Sequence, residues 1–422
     1  MGPISAALLP SSARMDGDKD LSIGGVCLTR LAEEQGTPLF VYDVADMRDR
    51  FVEARRCFGE GTAYATKAFL CRAVARLARE CGLSLDVATE GEYHVCRAAG
   101  IPSSALVIHG NNKSQQFIER AVVEGVQWIV LDSFDDLDRV SAAASNRRAK
   151  VPVLVRVNPG VEVHTHDFIA TGNRRSKFGF PMWNGDAKRA VDIACADRWL
   201  DWRGIHTHIG SNVLSVGCYN SALDSMLDFV RAVDPEIFVV GGGLGVRYVT
   251  SDLAPTMIEW SRMILGRCRD ADIRAQVLAE PGRALVARAG VTLYRVGTTS
   301  QKGDSTFVAI DGGMSDNLRP VLYGSEYEAF LPRDPLSERD WVVNIAGVHC
   351  ESGDILIRDA HIPRSTSSGD VLCVPVTGAY GYSMSSNYNK VPRPGVVFVG
   401  SGEYRTVVRR ENFEDLLRDD LG

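Results

Sequence analysis

The chain has 422 residues, of which 24% are Asp, Glu, Lys or Arg, with a formal net charge of −6 and a sequence pI near 5.8. That length exceeds what a single core usually supports, so a large domain with a smaller companion is expected. The acidic balance, with basic clusters such as Arg147-Arg148, Arg174-Arg175 and Arg409-Arg410 short and scattered, argues against a nucleic-acid surface and points to a small-molecule partner. Ten cysteines are dispersed with no CxxC among them, as suits reduced thiols in a cytoplasmic protein, and no run has the apolar length of a membrane span or the layout of a secretion signal.

In chain order, residues 1–20, rich in Ser, Ala, Gly and Asp, read as a loose tail. Residues 21–45 form an N-terminal segment assigned to a later β domain, although its strand candidate Leu39–Tyr42 also lies where it could pair with the domain that follows. From about residue 62, short β-branched runs recur at Thr62–Lys67, Leu83–Val87, Ala105–Gly110, Gln127–Asp132, Val151–Asn158, Arg203–Gly210, Glu236–Gly243 and Ala275–Glu280. Segments with helical spacing lie between them, such as Cys71–Glu80, Glu92–Ala99, Ser114–Glu124 and Tyr219–Val233. Eight strand–helix units predict a closed (β/α)8 barrel over residues 46–289, with a doubly wound open sheet as the alternative. Beyond residue 290 strands follow one another without helices, at Val291–Val296, Thr306–Ile310, Trp341–Ala346, Val371–Val376, Val396–Val399 and Tyr404–Val408. Residues 290–422 therefore read as a mostly antiparallel β domain, ending in a short acidic helix over Glu411–Leu421.

A (β/α)8 barrel carries its reactive groups at the C-terminal ends of its strands. Those ends offer Lys67, Asp86 with Glu90, His109 with Asn111, Asp132, Arg156 with Asn158, His208 with Ser211, Gly241-Gly242-Gly243, and Glu280 with Arg283. An amine buried at a strand end, as Lys67 is expected to be, can stay partly deprotonated and form a Schiff base with an aldehyde. The glycine run after the seventh strand sits where barrels bind phosphate through bare backbone N–H groups. An aldehyde site facing a phosphate site points to pyridoxal 5′-phosphate. Glu280 suits the pyridine nitrogen, because a carboxylate there keeps the nitrogen protonated and the ring electron-withdrawing; a local ion pair with Arg283 is the blander account. The pairs His206/His208 and His164/His166 have the spacing of metal ligands, but no third ligand of matching spacing is evident, so no metal is expected and His208 is assigned to stack on the cofactor ring, with Ser211 in reach of the phosphate.

These residues, together with Tyr64-Ala65-Thr66-Lys67-Ala68, His109-Gly110-Asn111-Asn112-Lys113-Ser114, His208-Ile209-Gly210-Ser211, Glu280-Pro281-Gly282-Arg283, Asn317-Leu318-Arg319-Pro320, Cys350-Glu351-Ser352-Gly353-Asp354 and Gly378-Ala379-Tyr380-Gly381-Tyr382, resemble the diaminopimelate decarboxylase family of fold-type III pyridoxal-phosphate enzymes. The resemblance runs from about residue 35 to 400. It implies that Lys67 holds the cofactor covalently, that His208 stacks on the ring and Glu280 pairs with its nitrogen, and that Ser211, Gly241, Gly242, Gly243 and Tyr380 hold the phosphate, with Asp86, Gly282 and Arg283 also contacting the cofactor. It further implies that Cys350 returns a proton to the decarboxylated carbon. Arg283, Arg319, Tyr323 and Tyr380 would bind the substrate, the arginines taking its distal carboxylate by paired hydrogen bonds, and Glu351 its distal ammonium. The reaction implied is decarboxylation of meso-2,6-diaminopimelate to L-lysine, in a homodimer whose subunits share their sites through Cys350 and Glu351. Glu90, Asn212 and Val348-His349 stand where the family usually has other residues. The competing readings are a decarboxylase of another D-configured or modified diamino acid, an amino-acid racemase, and a non-catalytic cofactor-binding relative.

Overall fold

The computed structural model describes residues 1–16, 20–161, 174–208 and 210–422, in two compact units. The candidates His164 and His166, and residues 17–19 of the expected tail, lie outside the described residues.

One unit comprises Phe51–Gly245 and Ala254–Ala284. Its eight parallel strands are β1 (Ala63–Ala65), β2 (Ser84–Val87), β3 (Leu106–Ile108), β4 (Trp128–Leu131), β5 (Val151–Asn158), β6 (Leu200–His206), β7 (Ile237–Val239) and β8 (Gln276–Leu278), hydrogen-bonded in that order. The ring closes because Ala63 N–H donates to the carbonyl of Ala279 at 3.1 Å and Ala65 N–H to that of Pro281 at 3.2 Å. Both contacts lie just past β8, so the open-sheet alternative is excluded. Inside, Val107, Trp128, Val130, Leu154, Ile237, Val239 and Leu278 form one apolar cluster, each fully buried aliphatic side chain contributing about 1.5–3 kcal/mol.

Side-chain caps turn several strand ends into helices. Thr89, Ser114, Ser133, Ser215 and Thr256 each accept an amide of the following first turn, and Thr256 with Glu259 forms a reciprocal capping box. The helix Arg72–Glu80 buries Val74, Ala75, Leu77 and Ala78, one apolar stripe of an otherwise charged segment.

β6 begins three residues earlier than its apolar run suggests and stops at His206. A bulge at Gly204 shifts its register against β5 and masks the alternation, and a Cβ at Gly204 would stand 1.9 Å from the carbonyl oxygen of Ile237. His208 therefore lies in the turn beyond the strand.

The other unit comprises Met1–Arg50, Val246–Leu253 and Leu285–Gly422. Its main sheet runs in the order Ile355–Ile362, Trp341–Ala346, Ser305–Ile310, Gly290–Lys302, Leu39–Asp43, Gly395–Gly400, Glu403–Val408, with Val371–Pro375 also paired to Gly290–Lys302. Two of its pairings are parallel and the rest antiparallel. Leu39–Asp43 pairs with Gly290–Lys302 and Gly395–Gly400, so the expectation that it could pair with the barrel is corrected: all five of its residues are buried between those two neighbours. The strand Ile355–Ile362 was not foreseen, because Arg358 and Asp359 are both exposed, with Asp359 at φ 47°, and break the period-two pattern.

Residues 1–16 are not the loose tail that their composition suggests. Leu8 and Leu9 are buried, Ser12 Oγ donates to Asp43 Oδ2, and the amino terminus donates to the Arg339 carbonyl at 3.1 Å. Arg14–Met15, Leu21–Ile23 and Val26–Cys27 then form a small antiparallel sheet. The acidic helix expected over Glu411–Leu421 is a single 3-10 turn, Phe413–Leu416, capped by Asn412. All ten cysteines are free thiols, and among the described residues no helix is long and apolar enough to cross a membrane.

Candidate active site

The mouth of the barrel gathers Asp86, His109, Arg156 and His206 around Glu280. Glu280 lies two residues past β8, is buried, and receives His109 Nε2 on Oε1 at 3.2 Å and His206 Nε2 on Oε2 at 2.9 Å. An ionised carboxylate can only accept, so both rings donate through Nε2. Burial alone would raise the Glu280 pKa, but His109 and His206 outweigh it and hold the carboxyl well below the usual range. Burial pushes His206 down to about 4, so it stays neutral. His109 is raised: burial opposes its charge, while Asp86, 3.7 Å away, and Glu280 favour it more strongly. Asp86 itself is pushed up to about 6, chiefly by burial, with His109 and Lys67 opposing.

The sequence placed His109 at a strand end without a role and gave His206 none beside His208. Only the closed ring brings these two, from β3 and β6, onto one carboxylate from the end of β8. Their ligand atoms lie within 4.8 Å of one another, so the third group that spacing failed to supply for a metal cluster comes from other strands. The Glu280 hydrogen bonds account for both Nε2 atoms, and the blander alternative, a Glu280–Arg283 ion pair, is not what holds this carboxylate.

Lys67 lies in the 3-10 turn Thr66–Ala68 that follows β1, not in the strand. Thr66 and Ala68 are buried and Thr66 Oγ1 donates to the Asp86 carbonyl at 2.8 Å, whereas Lys67 is exposed. The residue is thus exposed where a buried amine was expected, and its neighbours Thr66 and Ala68 fill the packed turn. Lys67 remains close enough to act electrostatically on Asp86, Glu92 and His208. Gly282 permits this arrangement, because a Cβ there would stand 2.8 Å from the Ala65 carbonyl oxygen and 3.2 Å from Ala68 Cβ.

His208 accepts the Gly242 N–H on Nδ1 at 3.1 Å. Burial, with Lys67 and Arg156 adding to it, depresses its pKa well below the usual value, leaving a neutral ring of fixed tautomer. The glycines are needed within the chain itself. A Cβ on Gly241, Gly242 or Gly243 would come within 2.4, 2.3 and 2.1 Å of the carbonyl oxygens of Thr207, Glu280 and Gly210. The Gly242 amide, expected to face a phosphate, is thus spent on His208. Buried Arg283 donates from a terminal nitrogen to Ser211 Oγ at 2.9 Å, which sets a cation beside the serine assigned to the phosphate. Glu90 opens the helix Glu90–Ala98 and reaches Arg120 at 3.9 Å, with nearly half its side chain exposed.

These residues fit pyridoxal 5′-phosphate. Glu280 is held ionised as a protonated pyridine nitrogen requires, each of its oxygens keeps a second lone pair, His208 offers a neutral flat ring, and Arg283 with Ser211 suits a phosphate.

The second unit holds the remaining candidates. Buried Arg319 lies over the rings of Tyr248, 4.2 Å from the centroid, and Tyr327, at 5.7 Å, and donates to the Tyr327 hydroxyl. Its Nε has no hydrogen-bond partner among the described residues, as an arginine serving an anion would leave it. Neither Tyr248 nor Tyr327 was singled out in the sequence, since both come from loops with no motif. Tyr323 is half-buried in the short helix Arg319–Tyr323. Tyr380 is half-buried and held at φ 58°, and Val376 at φ 61°, both in the left-handed region that bulky residues avoid. Cys350 and Glu351 sit exposed on the loop between Trp341–Ala346 and Ile355–Ile362.

Comparison with known proteins bears on this chemistry directly. Residues 44–287 match the family model described as pyridoxal-dependent decarboxylase, pyridoxal binding domain. The chain is 42% identical over 414 residues to the diaminopimelate decarboxylase of Bacillus methanolicus, covering 93% of this chain and 94% of that one. It is 40% identical over 431 residues to that of Bacillus subtilis, covering 98% of each. Among solved structures, diaminopimelate decarboxylase from M. jannaschii in complex with L-lysine superimposes with a TM-score of 0.89 at 29% identity, covering 98% of each chain. The Helicobacter pylori enzyme, also with L-lysine, gives 0.85 at 27% identity, covering 92% of this chain and 98% of that one. The chain therefore belongs to the pyridoxal-dependent decarboxylases, and within them to the diaminopimelate decarboxylase family.

Proposed function

We propose that this chain removes one carboxylate from meso-2,6-diaminopimelate to give L-lysine and carbon dioxide, with pyridoxal 5′-phosphate at the barrel mouth. The observation that carries the reading is the buried Glu280 carboxylate, kept ionised by His109 and His206 just past β8 at the barrel mouth. When bound, the cofactor supplies an electron-withdrawing ring that accepts the electron pair left on carbon as carbon dioxide departs. Lys67 would hold the cofactor covalently through its aldehyde carbon. Glu280 keeps the ring nitrogen protonated, His208 packs on the ring face, and Asp86 and Gly282 line the ring. Ser211, Tyr380, Gly241 and Gly243 hold the phosphate, with the Arg283 guanidinium beside Ser211. Arg319, Tyr323 and Arg283 take the distal carboxylate of the substrate, and Glu351 its distal ammonium. Cys350 then donates the proton that replaces the lost carboxylate. An arginine buried without its carboxylate costs a few kcal/mol, which selects against ornithine and lysine.

We further propose a cytoplasmic homodimer in which Cys350 and Glu351 of one subunit serve the site of the other. The relatives solved with L-lysine support the product assignment.

The test is a substrate panel: protein loaded with pyridoxal phosphate, offered meso- and LL-diaminopimelate, D- and L-lysine and ornithine. Equal amounts of carbon dioxide and L-lysine from the meso isomer alone are expected. Release only from another amino acid, or recovery of racemised substrate without carbon dioxide, overturns the reading. Borohydride reduction should leave the cofactor mass on the peptide containing Lys67. Mixing Lys67→Ala with Cys350→Ala subunits should restore part of the activity, and no recovery after subunit exchange counts against shared sites.

A further inference from the structure

We propose that His349 is the positioning residue of the Cys350–Glu351 loop, an inference that rests on Cys350 and Glu351 acting as proposed above. His349 stands next to Cys350, yet it is buried while Cys350 and Glu351 are exposed. Its ring spans two other segments: Nε2 lies 2.8 Å from Ser315 Oγ, and Nδ1 lies 3.2 Å from Asn389 Oδ1. The amide oxygen only accepts, so Nδ1 donates to Asn389, and in the neutral ring Nε2 accepts a hydrogen bond from the Ser315 hydroxyl.

Each contact has its own support. Asp354 accepts the His349 N–H at 2.8 Å on Oδ2 and the Met314 N–H at 2.7 Å on Oδ1, which ties both ends of the catalytic loop to the segment holding Ser315. A Cβ on Gly313 would stand 2.7 Å from Asp354 Oδ2 and 2.9 Å from His349 Cδ2, so this packing needs glycine there. Ser386 N–H donates to the Ser315 carbonyl at 2.8 Å, joining the third segment. Asn389 sits at φ 51°, a conformation asparagine tolerates better than most residues, and this places its amide against the ring. Beside it, Tyr388 lies against the His349 ring, centroids 5.3 Å apart, and its hydroxyl reaches Glu351 Oε2 at 3.4 Å.

The imidazole therefore fixes two neighbours at once: Cys350 through the chain, and Glu351 through the Tyr388–Asn389 turn. An aliphatic residue at 349 would fill the space and hold neither Ser315 nor Asn389. A proton donor must meet its carbon within a narrow geometry, and displacement of about 1 Å costs up to roughly 100-fold in rate.

The experiment compares wild type, His349→Leu, His349→Gln, Ser315→Ala and Asn389→Ala as cofactor-loaded protein. In D2O, wild type should form lysine with one deuterium of single configuration at the decarboxylated carbon. His349→Leu should lower kcat about 10- to 100-fold, scramble that configuration, and speed alkylation of Cys350 by iodoacetamide relative to exposed Cys195. The two alanine variants should show part of each effect, and His349→Gln should recover part of the loss by keeping a group near Ser315. Folded variants with unchanged kcat, configuration and Cys350:Cys195 alkylation ratio overturn the proposal. If His349→Leu fails to fold, the two alanine variants decide it. If wild type forms no lysine, the decarboxylase reading falls by itself, and the alkylation ratio alone decides the role of His349.

Discussion

Glu280 Oε2 receives the Nε2–H of His206 at 2.9 Å, while Oε1 of the same carboxylate is served by His109. Neutral His206 and charge-favoured His109 together keep a buried acid ionised that burial alone would neutralise. Glu280→Gln keeps the shape and removes the charge. Carbon dioxide release at saturating cofactor should fall about 100-fold or more, with the protein still folded by circular dichroism. Activity within threefold of wild type would remove Glu280 from the ring-nitrogen role.

Arg319 depends on Tyr327 for one hydrogen bond and on Tyr248 for a ring to lie against. Tyr327→Phe deletes only the hydroxyl. Loss of one bond to a charged donor corresponds to about 1.5–3 kcal/mol, so KM for diaminopimelate should rise roughly tenfold or more while kcat changes little. A lowered kcat at constant KM, measured by steady-state kinetics, would argue that Arg319 does not act in substrate binding.

Gly243, at φ 94°, has no room for a side chain, because a Cβ meets the Gly210 carbonyl oxygen at 2.1 Å. Gly243→Ala should destabilise by roughly 3 kcal/mol, read as a shift in the urea midpoint. Gly303, at φ 55° with nothing within 4 Å, is the control, and Gly303→Ala should cost only about 1 kcal/mol.

Asp316 is buried in the second unit, accepting the Tyr294 hydroxyl and the Gly313 N–H, and burial pushes it up to about 7 from an ordinary value of 3.8. The native state thus holds this proton more tightly than the unfolded chain. Its destabilising effect appears as pH rises above the ordinary value and is complete above about 7. Asp316→Asn should flatten that fall. Urea unfolding at pH 5 and pH 8 should show a smaller stability loss in the variant than in wild type, and equal losses would contradict it.

Much of the fold could be read along the chain because barrel strands are buried on both faces and so appear as short unbroken apolar runs, as Val151–Asn158 does. The candidate site residues at their ends could be listed too, since parallel strands present their C-terminal ends together. Lys67, Asp86, His208 and Glu280 could therefore be named from sequence. What stayed hidden were contacts between segments far apart in the chain, which carry no local period: His109 and His206 on Glu280, Tyr248 and Tyr327 around Arg319, and His349 between Ser315 and Asn389. The tail was misread because composition measures average polarity, whereas two leucines, Leu8 and Leu9, suffice to pack it. Local residue patterns determined the strands, the caps and the chemistry available at the barrel mouth. The exposure of Lys67 and the ionisation of Glu280 were decided by tertiary structure alone, because each depends on which distant groups come to lie beside it.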